Sequence, residues 1–335
     1  MGVLILAVMS NRQQPDHTRI RKHTQAGLSP KRMQVLEPVI RQPAEVLIDQ
    51  MLATGSPAEW VGAVGNPLPA ETIFRLIGFP DSDDEQLKFW TNNRLAFTWG
   101  KTDKNYQIQI AKNLLAYWRY VAAYVEMRRK TPADDFTSEL LAAHAENPDD
   151  LRYDEVQSII YGLSFAGHEI VRNLISNILL CLLGERQNWQ AVCEDPSLIK
   201  PAIEEVLRFN SAQTSWRRIT ACDTEFHGYR LPKGTPVFIS LAAANHDPRS
   251  FEKPDRFDLY RSNADKHIAF GRGIHICIGR LLAKLELRLV LETLIQKVPS
   301  LRLVIGQDLS YYPNFSFRGP KTLYLCWDEA CDTTD

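Results

Sequence analysis

Phe270-Gly271-Arg272-Gly273-Ile274-His275-Ile276-Cys277-Ile278-Gly279 runs directly into a periodic apolar segment, Arg280 to Val298. Glycines at 271, 273 and 279 ahead of a helical pattern describe a backbone that turns through positive φ and lies against something flat. Cys277 falls at or just before the first turn of that helix. Unpaired N–H groups and the positive end of the helix dipole there favour a thiolate. A thiolate held by backbone donors, with a donor side chain two residues earlier at His275, suits an iron porphyrin, which needs one soft axial ligand and groups for its propionates. A dinucleotide loop would want a glycine three residues after Gly273, where Ile276 stands. A zinc site would want a further C-x-x-C pair near His275-x-Cys277, and there is none. An ordinary buried cysteine behind a glycine-rich turn is the competing reading.

The stretch resembles, position for position, the F-x-x-G-x-[HR]-x-C-x-G haem loop of the cytochrome P-450 superfamily, the haem-thiolate monooxygenases. The resemblance implies that Cys277 is the proximal iron ligand, that Phe270 packs beside its sulfur, and that Gly271, Gly273 and Gly279 belong to the close-fitting loop. It places His275 at a haem propionate.

The rest of the chain has to agree with this. Its 335 residues, 44% hydrophobic and 24% charged, are those of a globular chain large enough to enclose a cofactor. A net charge of −1 gives no electrostatic reason to expect nucleic acid or an anionic membrane as partner. Six cysteines (181, 193, 222, 277, 326, 331) lie scattered without paired spacing, which predicts reduced thiols and a cytoplasmic setting. The apolar run Val3 to Val8 is too short to span a bilayer and lacks a basic start, so no targeting segment is expected. No repeat or long linker divides the chain.

His17 and Arg21 stand at i and i+4 on one predicted helix face, able to clasp a carboxylate; a solvated basic face is the alternative. Pro15-Asp16-His17 to Arg21 resembles the family's H-x-x-x-R element, whose side chains bind the propionates. In the family a substantial N-terminal portion precedes this element, whereas sixteen residues precede His17 here. Either the pocket is built differently or the start is internal to a longer protein.

Ser29-Pro30 predicts a capped helix toward Met51, and Leu68-Pro69 to Phe79-Pro80 a short one closed by proline. Asp84 to Phe97 and Tyr106 to Lys130 are amphipathic and aromatic (Trp90, Trp99, Tyr117, Trp118, Tyr120, Tyr124), which reads as core; the resemblance makes them the lid over a substrate entrance. Leu151 to Gly184 predicts one helix of about 50 Å. Ala166-Gly167 in its middle costs stability unless something approaches the backbone. By resemblance, Ala166, Gly167 and Glu169 form the oxygen-binding groove of pattern [AG]-G-x-[DE]-T, with Glu169 feeding protons through water. The expected threonine is Ile170, whose side chain has no hydroxyl. A substrate hydroxyl, His168, Asn173 or an ordered water must replace it, or the chain uses peroxide as oxidant.

Glu205 and Arg208 at i and i+3 are by themselves a surface pair. By resemblance they are the E-x-x-R motif, completed by Arg256 of Pro254-Asp255-Arg256-Phe257 in a buried network under the haem loop. Thr214 to Cys222, a turn at 227–234 and Val237 to Ser240 read as short strands. Alternation sends Arg217 and Arg218 to opposite faces, and the resemblance selects Arg218 for a propionate. Ser211 to Ser215 and Asn314-Phe315 resemble substrate-touching segments.

These elements predict a mainly α fold with small β-sheets, the triangular cytochrome P-450 architecture. It is expected as one domain over 1–335, a helical lobe at about 17–210 and a mixed β and haem-loop portion at about 211–335. The haem b lies between the long central helix and the helix after the cysteine loop. The function implied is insertion of one atom of dioxygen into a small organic substrate, with no nucleic acid or membrane partner and a monomeric state. No flavin or iron–sulfur module is legible. Electrons from NAD(P)H must then arrive through a separate ferredoxin and ferredoxin reductase, or a flavodoxin-type donor, docking near Arg272, Arg280 and Lys284. Peroxide-driven oxidation and a non-catalytic haem-binding auxiliary role are the alternatives.

Overall fold

The structure is a computed structural model, which describes residues 8–91 and 103–328. The Val3 to Val8 run up to residue 7, Phe97 and Trp99 lie outside the described residues.

Twelve α-helices among the described residues follow in chain order: α1 Asp16–Ala26, α2 Pro30–Ala53, α3 Pro67–Ile77, α4 Asp84–Thr91, α5 Lys104–Lys130, α6 Phe136–Glu146, α7 Tyr153–Ala166, α8 Glu169–Gly184, α9 Arg186–Glu194, α10 Ile199–Phe209, α11 Leu241–Asn245 and α12 Arg280–Lys297. Helix α2 starts as its sequence demands, with Pro30 at the first position and Ser29 Oγ accepting from Arg32 N at 3.3 Å. Helix α3 is closed by Gly78 at φ +93 rather than by the proline, because only a left-handed residue lets the Gly78 N–H turn back onto Phe74 O.

The strands are short: β1 Ala58–Glu59, β2 Ser215–Ile219, β3 Thr224–Phe226, β4 Tyr229–Leu231, β5 Pro236–Ser240, β6 Arg302–Leu303 and β7 Tyr324–Cys326. They form an antiparallel sheet of order β1-β7-β6 and two hairpin pairs, β2-β5 and β3-β4. His227 and Gly228, both at positive φ, make the tight β3-β4 turn. Arg218 pairs with Val237 across β2-β5.

The core is a continuous cluster drawn from nearly every helix. Within it α12 packs against α2, α10 and α8. The aromatic residues of α4 and α5 stack on α7, Tyr117 at 5.2 Å from Phe165 and 5.4 Å from Tyr161, with Trp90 5.6 Å from Tyr117. The core reading of that aromatic stripe therefore holds for the described residues.

Two expectations need correction. The 151–184 stretch is not one unbroken helix: α7 ends at Ala166, α8 begins at Glu169, and Gly167-His168 forms the break. The buried His168 ring is engaged on both sides, Nδ1 3.1 Å from Thr91 Oγ1 and Nε2 3.1 Å from Asn66 Oδ1, and the backbone bends to meet them. Hydrogen bonds continue on either side of the break, from Gly167 N to Leu163 O and from Arg172 N to His168 O. The cysteines are not all reduced: 181, 193, 222 and 277 are free thiols, whereas Cys326 is in a disulfide, a pairing that spacing along the chain does not announce.

Candidate active site

A cavity of about 840 Å³ lies between the α7/α8 break and the loop that leads into α12. Ala166, Gly167 and Ile170 face it from one side, and Phe270, Cys277 and Gly279 from the other; Leu282, Ala283 and Glu286 of α12 close one end. Ser211, Ala212 and Gln213 add a short polar stretch to an otherwise apolar wall.

The loop takes the backbone path its glycines suggested. Gly271 and Gly273 have φ of +70 and +77, a region open to glycine at little cost. Gly279 does not, at φ −84; its role is steric, because a β-carbon there would meet no atom within 4 Å on a residue that fronts the cavity. Cys277 N donates to Phe270 O at 2.8 Å, which closes the loop and turns the sulfur toward the cavity. Burial pushes the Cys277 thiol pKa above its ordinary value, while the Gly279 backbone N–H and the charges of Arg21 and Arg280 pull it down. The helix start thus acts as expected, but desolvation outweighs it in the metal-free protein.

Four side chains singled out as propionate ligands converge beside this loop. The His17 and His275 rings lie 4.2 Å apart. Arg21 Nη2 donates to Ile276 O at 2.6 Å. Of the strand pair, Arg218 is the one whose charge is felt at His275, together with those of His17 and Arg21. His17 is 1% exposed, and neither ring nitrogen has a hydrogen-bond partner. Burial lowers its pKa, and Arg21 adds to the effect.

The groove residues divide. Gly167 is glycine because a β-carbon would sit 2.6 Å from Ile73 Cγ1 of α3, so helix packing accounts for its size, while the residue also fronts the cavity. Glu169 is buried at the first position of α8, outside the cavity lining. His168 and Asn173, candidates for the missing hydroxyl, are already engaged: His168 as above, and Asn173 Oδ1 by Arg172 Nε at 3.4 Å.

The charge network beneath the loop is real, but its third member is Arg261, not Arg256. Glu205 and Arg208 are both 0% exposed and form a bidentate pair, 2.7 Å at each oxygen. Arg261 Nε completes it at 3.1 Å from Glu205 Oε1, and Asp258 N donates to the same oxygen at 2.9 Å. The Arg256 side chain is exposed; the residue contributes its backbone carbonyl, which accepts from Arg208 and Arg261 at 3.1 Å each. Arg208 also holds the carbonyls of Asn245 and Pro254, and Asn245 Oδ1 accepts from Ile268 N at 2.8 Å, so the network reaches the start of the cysteine loop.

Further differences concern the periphery. Asn314 Oδ1 caps Ser316 N and Phe317 N, and Phe315 is exposed against Phe238, so that hairpin is outside the cavity lining although Ser211 and Gln213 are in it. Lys284 is bound to Glu204 at 2.6 Å, which removes it from a basic docking patch; Arg272 remains exposed. Sequence reasoning missed Arg261 and Glu286. The legible signal for Glu286 was a carboxylate at helical spacing from Leu282, Ala283, Leu289 and Val290, all buried.

A family model described as Cytochrome P450 matches residues 86–299. The chain is 36% identical to cytochrome P450 107B1 of Saccharopolyspora erythraea over 90% of its own length and 72% of that protein's. Among solved structures it resembles cytochrome P450 CREJ in complex with (4-ethylphenyl) dihydrogen phosphate (TM-score 0.91, 37% identity, 95% of this chain and 79% of that one). It also resembles P450BioI in complex with an acyl carrier protein carrying hexadec-9Z-enoic acid (TM-score 0.91, 32% identity, 97% and 83%). The cysteine loop, the kinked helix pair facing it and these matches agree: the chain belongs to the cytochrome P450 family.

Proposed function

We propose that this chain is a haem-thiolate monooxygenase that holds haem b through Cys277 and oxidises a small, largely apolar organic molecule with dioxygen. The observation that carries the reading is a free cysteine opening onto a cavity that faces the Ala166-Gly167 kink. The donor set fits the group. Two unpartnered nitrogens on the buried His17, beside His275, Arg21 and Arg218, are donors and charges suited to propionates. Gly279 leaves room where a flat ring would lie against the backbone. Bound there, the haem supplies oxygen activation, with the thiolate favouring O–O cleavage.

The protein's own residues do the rest. Glu205, Arg208 and Arg261 fix the loop that carries Cys277. The apolar wall excludes water and orients substrate by shape, while Ser211 and Gln213 offer it the lining's few polar contacts. Electrons reach the site from NAD(P)H through a separate ferredoxin and its reductase, with Arg272 and Arg280 on the docking side. Ile170 in the groove supports a second reading, oxidation driven by hydrogen peroxide alone.

The test is the carbon monoxide difference spectrum of the reduced protein. Thiolate ligation gives the Soret position from which the family takes its name, and Cys277→His abolishes it. A wild-type spectrum without that band refutes the reading. Turnover with dioxygen and a ferredoxin system, against turnover with peroxide alone, then separates the two oxidants.

A further inference from the structure

Ile170 leaves the groove without a hydroxyl, and His168 and Asn173 are engaged elsewhere. The cavity lining itself holds few polar side chains. Ser211 Oγ donates to Gln213 O at 3.0 Å and Gln213 Nε2 to Ser215 O at 3.5 Å, so both are tied to backbone. Glu286 differs. It is 1% exposed, fronts the same cavity as Gly167 and Ile170, and neither carboxyl oxygen has a partner. It lies nine residues beyond Cys277 in the helix that follows the loop.

The buried carboxylates Glu155, Asp135 and Glu205 each face an arginine, Arg19, Arg128 and Arg208. No charged group acts on Glu286: burial is the sole cause that pushes its pKa well above the carboxylate range. An unpaired buried carboxylate is costly, and the group avoids that cost by staying neutral. A neutral carboxylic acid carries one O–H donor and keeps acceptor capacity. It offers what the threonine hydroxyl would have offered, and a transferable proton besides.

We propose that Glu286 is held as a neutral carboxylic acid and supplies to the cavity the hydrogen-bond donor and proton that Ile170 cannot. This rests on the monooxygenase reading above. In that reaction dioxygen takes two electrons from the ferredoxin and two protons; one oxygen atom enters the substrate and the other leaves as water. Glu286 gives up one of those protons from its carboxyl oxygen, and a solvent proton passed through cavity water restores the acid.

The test begins without turnover. In the infrared spectrum at neutral pH, the wild type shows a protonated-carboxyl C=O stretch that shifts in heavy water, and Glu286→Gln and Glu286→Leu lose it. Urea unfolding at pH 7 releases about one proton more from the wild type than from Glu286→Gln, since the unfolded side chain ionises. An unchanged band, or equal proton release, overturns the neutral acid. With electrons from a ferredoxin and its reductase, haem-loaded Glu286→Leu releases at least about tenfold more hydrogen peroxide per electron pair than the wild type. Adding Ile170→Thr to that variant restores coupling. Unchanged peroxide release in Glu286→Leu, or no rescue by the added threonine, overturns the proton-donor role even where the infrared band behaves as expected. Failure of the monooxygenase reading is recognised separately, by a wild type that consumes no dioxygen, and it overturns the proton delivery with it.

Discussion

Replacing Arg261 with methionine tests the support beneath the cysteine loop, because methionine keeps an unbranched stem and deletes the charge. In the wild type Arg261 Nε lies 3.1 Å from Glu205 Oε1, and its other nitrogens donate to the carbonyls of Glu252, Lys253 and Arg256 at 2.7, 3.3 and 3.1 Å. A hydrogen bond between charged groups contributes about 1.5–3 kcal/mol net. Breaking a buried pair costs about 3–5 kcal/mol when it strands a charge. Glu205 is not stranded, since Arg208 still grips both its oxygens and Asp258 N still donates to it. The three carbonyls lie at the surface and turn to water. The expected loss is therefore about 3 kcal/mol, the lower end of that range. With a urea slope near about 3 kcal/mol per molar, the unfolding midpoint falls by about 1 M. Arg256→Met, which removes an exposed side chain and leaves the carbonyl in place, stays within about 0.5 kcal/mol of the wild type. An Arg256 variant as unstable as the Arg261 variant, in matched urea titrations followed by circular dichroism, would refute the assignment.

Gly167→Ala forces a β-carbon toward Ile73 and is expected to cost about 1–3 kcal/mol; Ile73→Val in the same chain recovers part of it, as a double-mutant cycle in urea would show. His168 is neutral in the fold, its pKa pushed down to about 3 by burial and by Arg172, whereas the unfolded ring protonates near 6.5. Its contribution is intact above pH 6.5 and falls by about 1.4 kcal/mol per unit as pH drops from there toward 3, so His168→Gln flattens the acid limb of a stability–pH curve. Arg272→Glu slows reduction by an acidic ferredoxin severalfold at low salt, and the difference shrinks at high ionic strength in stopped-flow traces.

The readable parts of this chain share a physical property: their chemistry is local. Positive φ at Gly271 and Gly273, the Ser29-Pro30 helix start and the His17/Arg21 face each follow from residues a few positions apart, and the structure has them in place. Three things were hidden because they are decided across the fold. Arg256 and Arg261 are both arginines on one irregular segment, and only the path of that segment over α10 says which guanidinium meets Glu205. The break at Gly167-His168 depends on Thr91 and Asn66, which are distant in sequence. Glu286 sits in a helix whose apolar rhythm gives no hint that one of its buried positions opens on a cavity.

The manner in which Arg208 and Arg261 hold 252–256 has a consequence for how this sequence can drift. Their partners there are the carbonyls of Glu252, Lys253, Pro254 and Arg256, and a carbonyl is supplied by any amino acid. The side chains at those positions are free to change under selection for surface charge or solubility while the fold's anchorage stays as it is. Identity is demanded only of the two guanidinium groups and the one carboxylate. A saturation library over 252–256 should therefore tolerate most residues with an unstrained backbone, whereas single changes at Glu205, Arg208 or Arg261 are depleted.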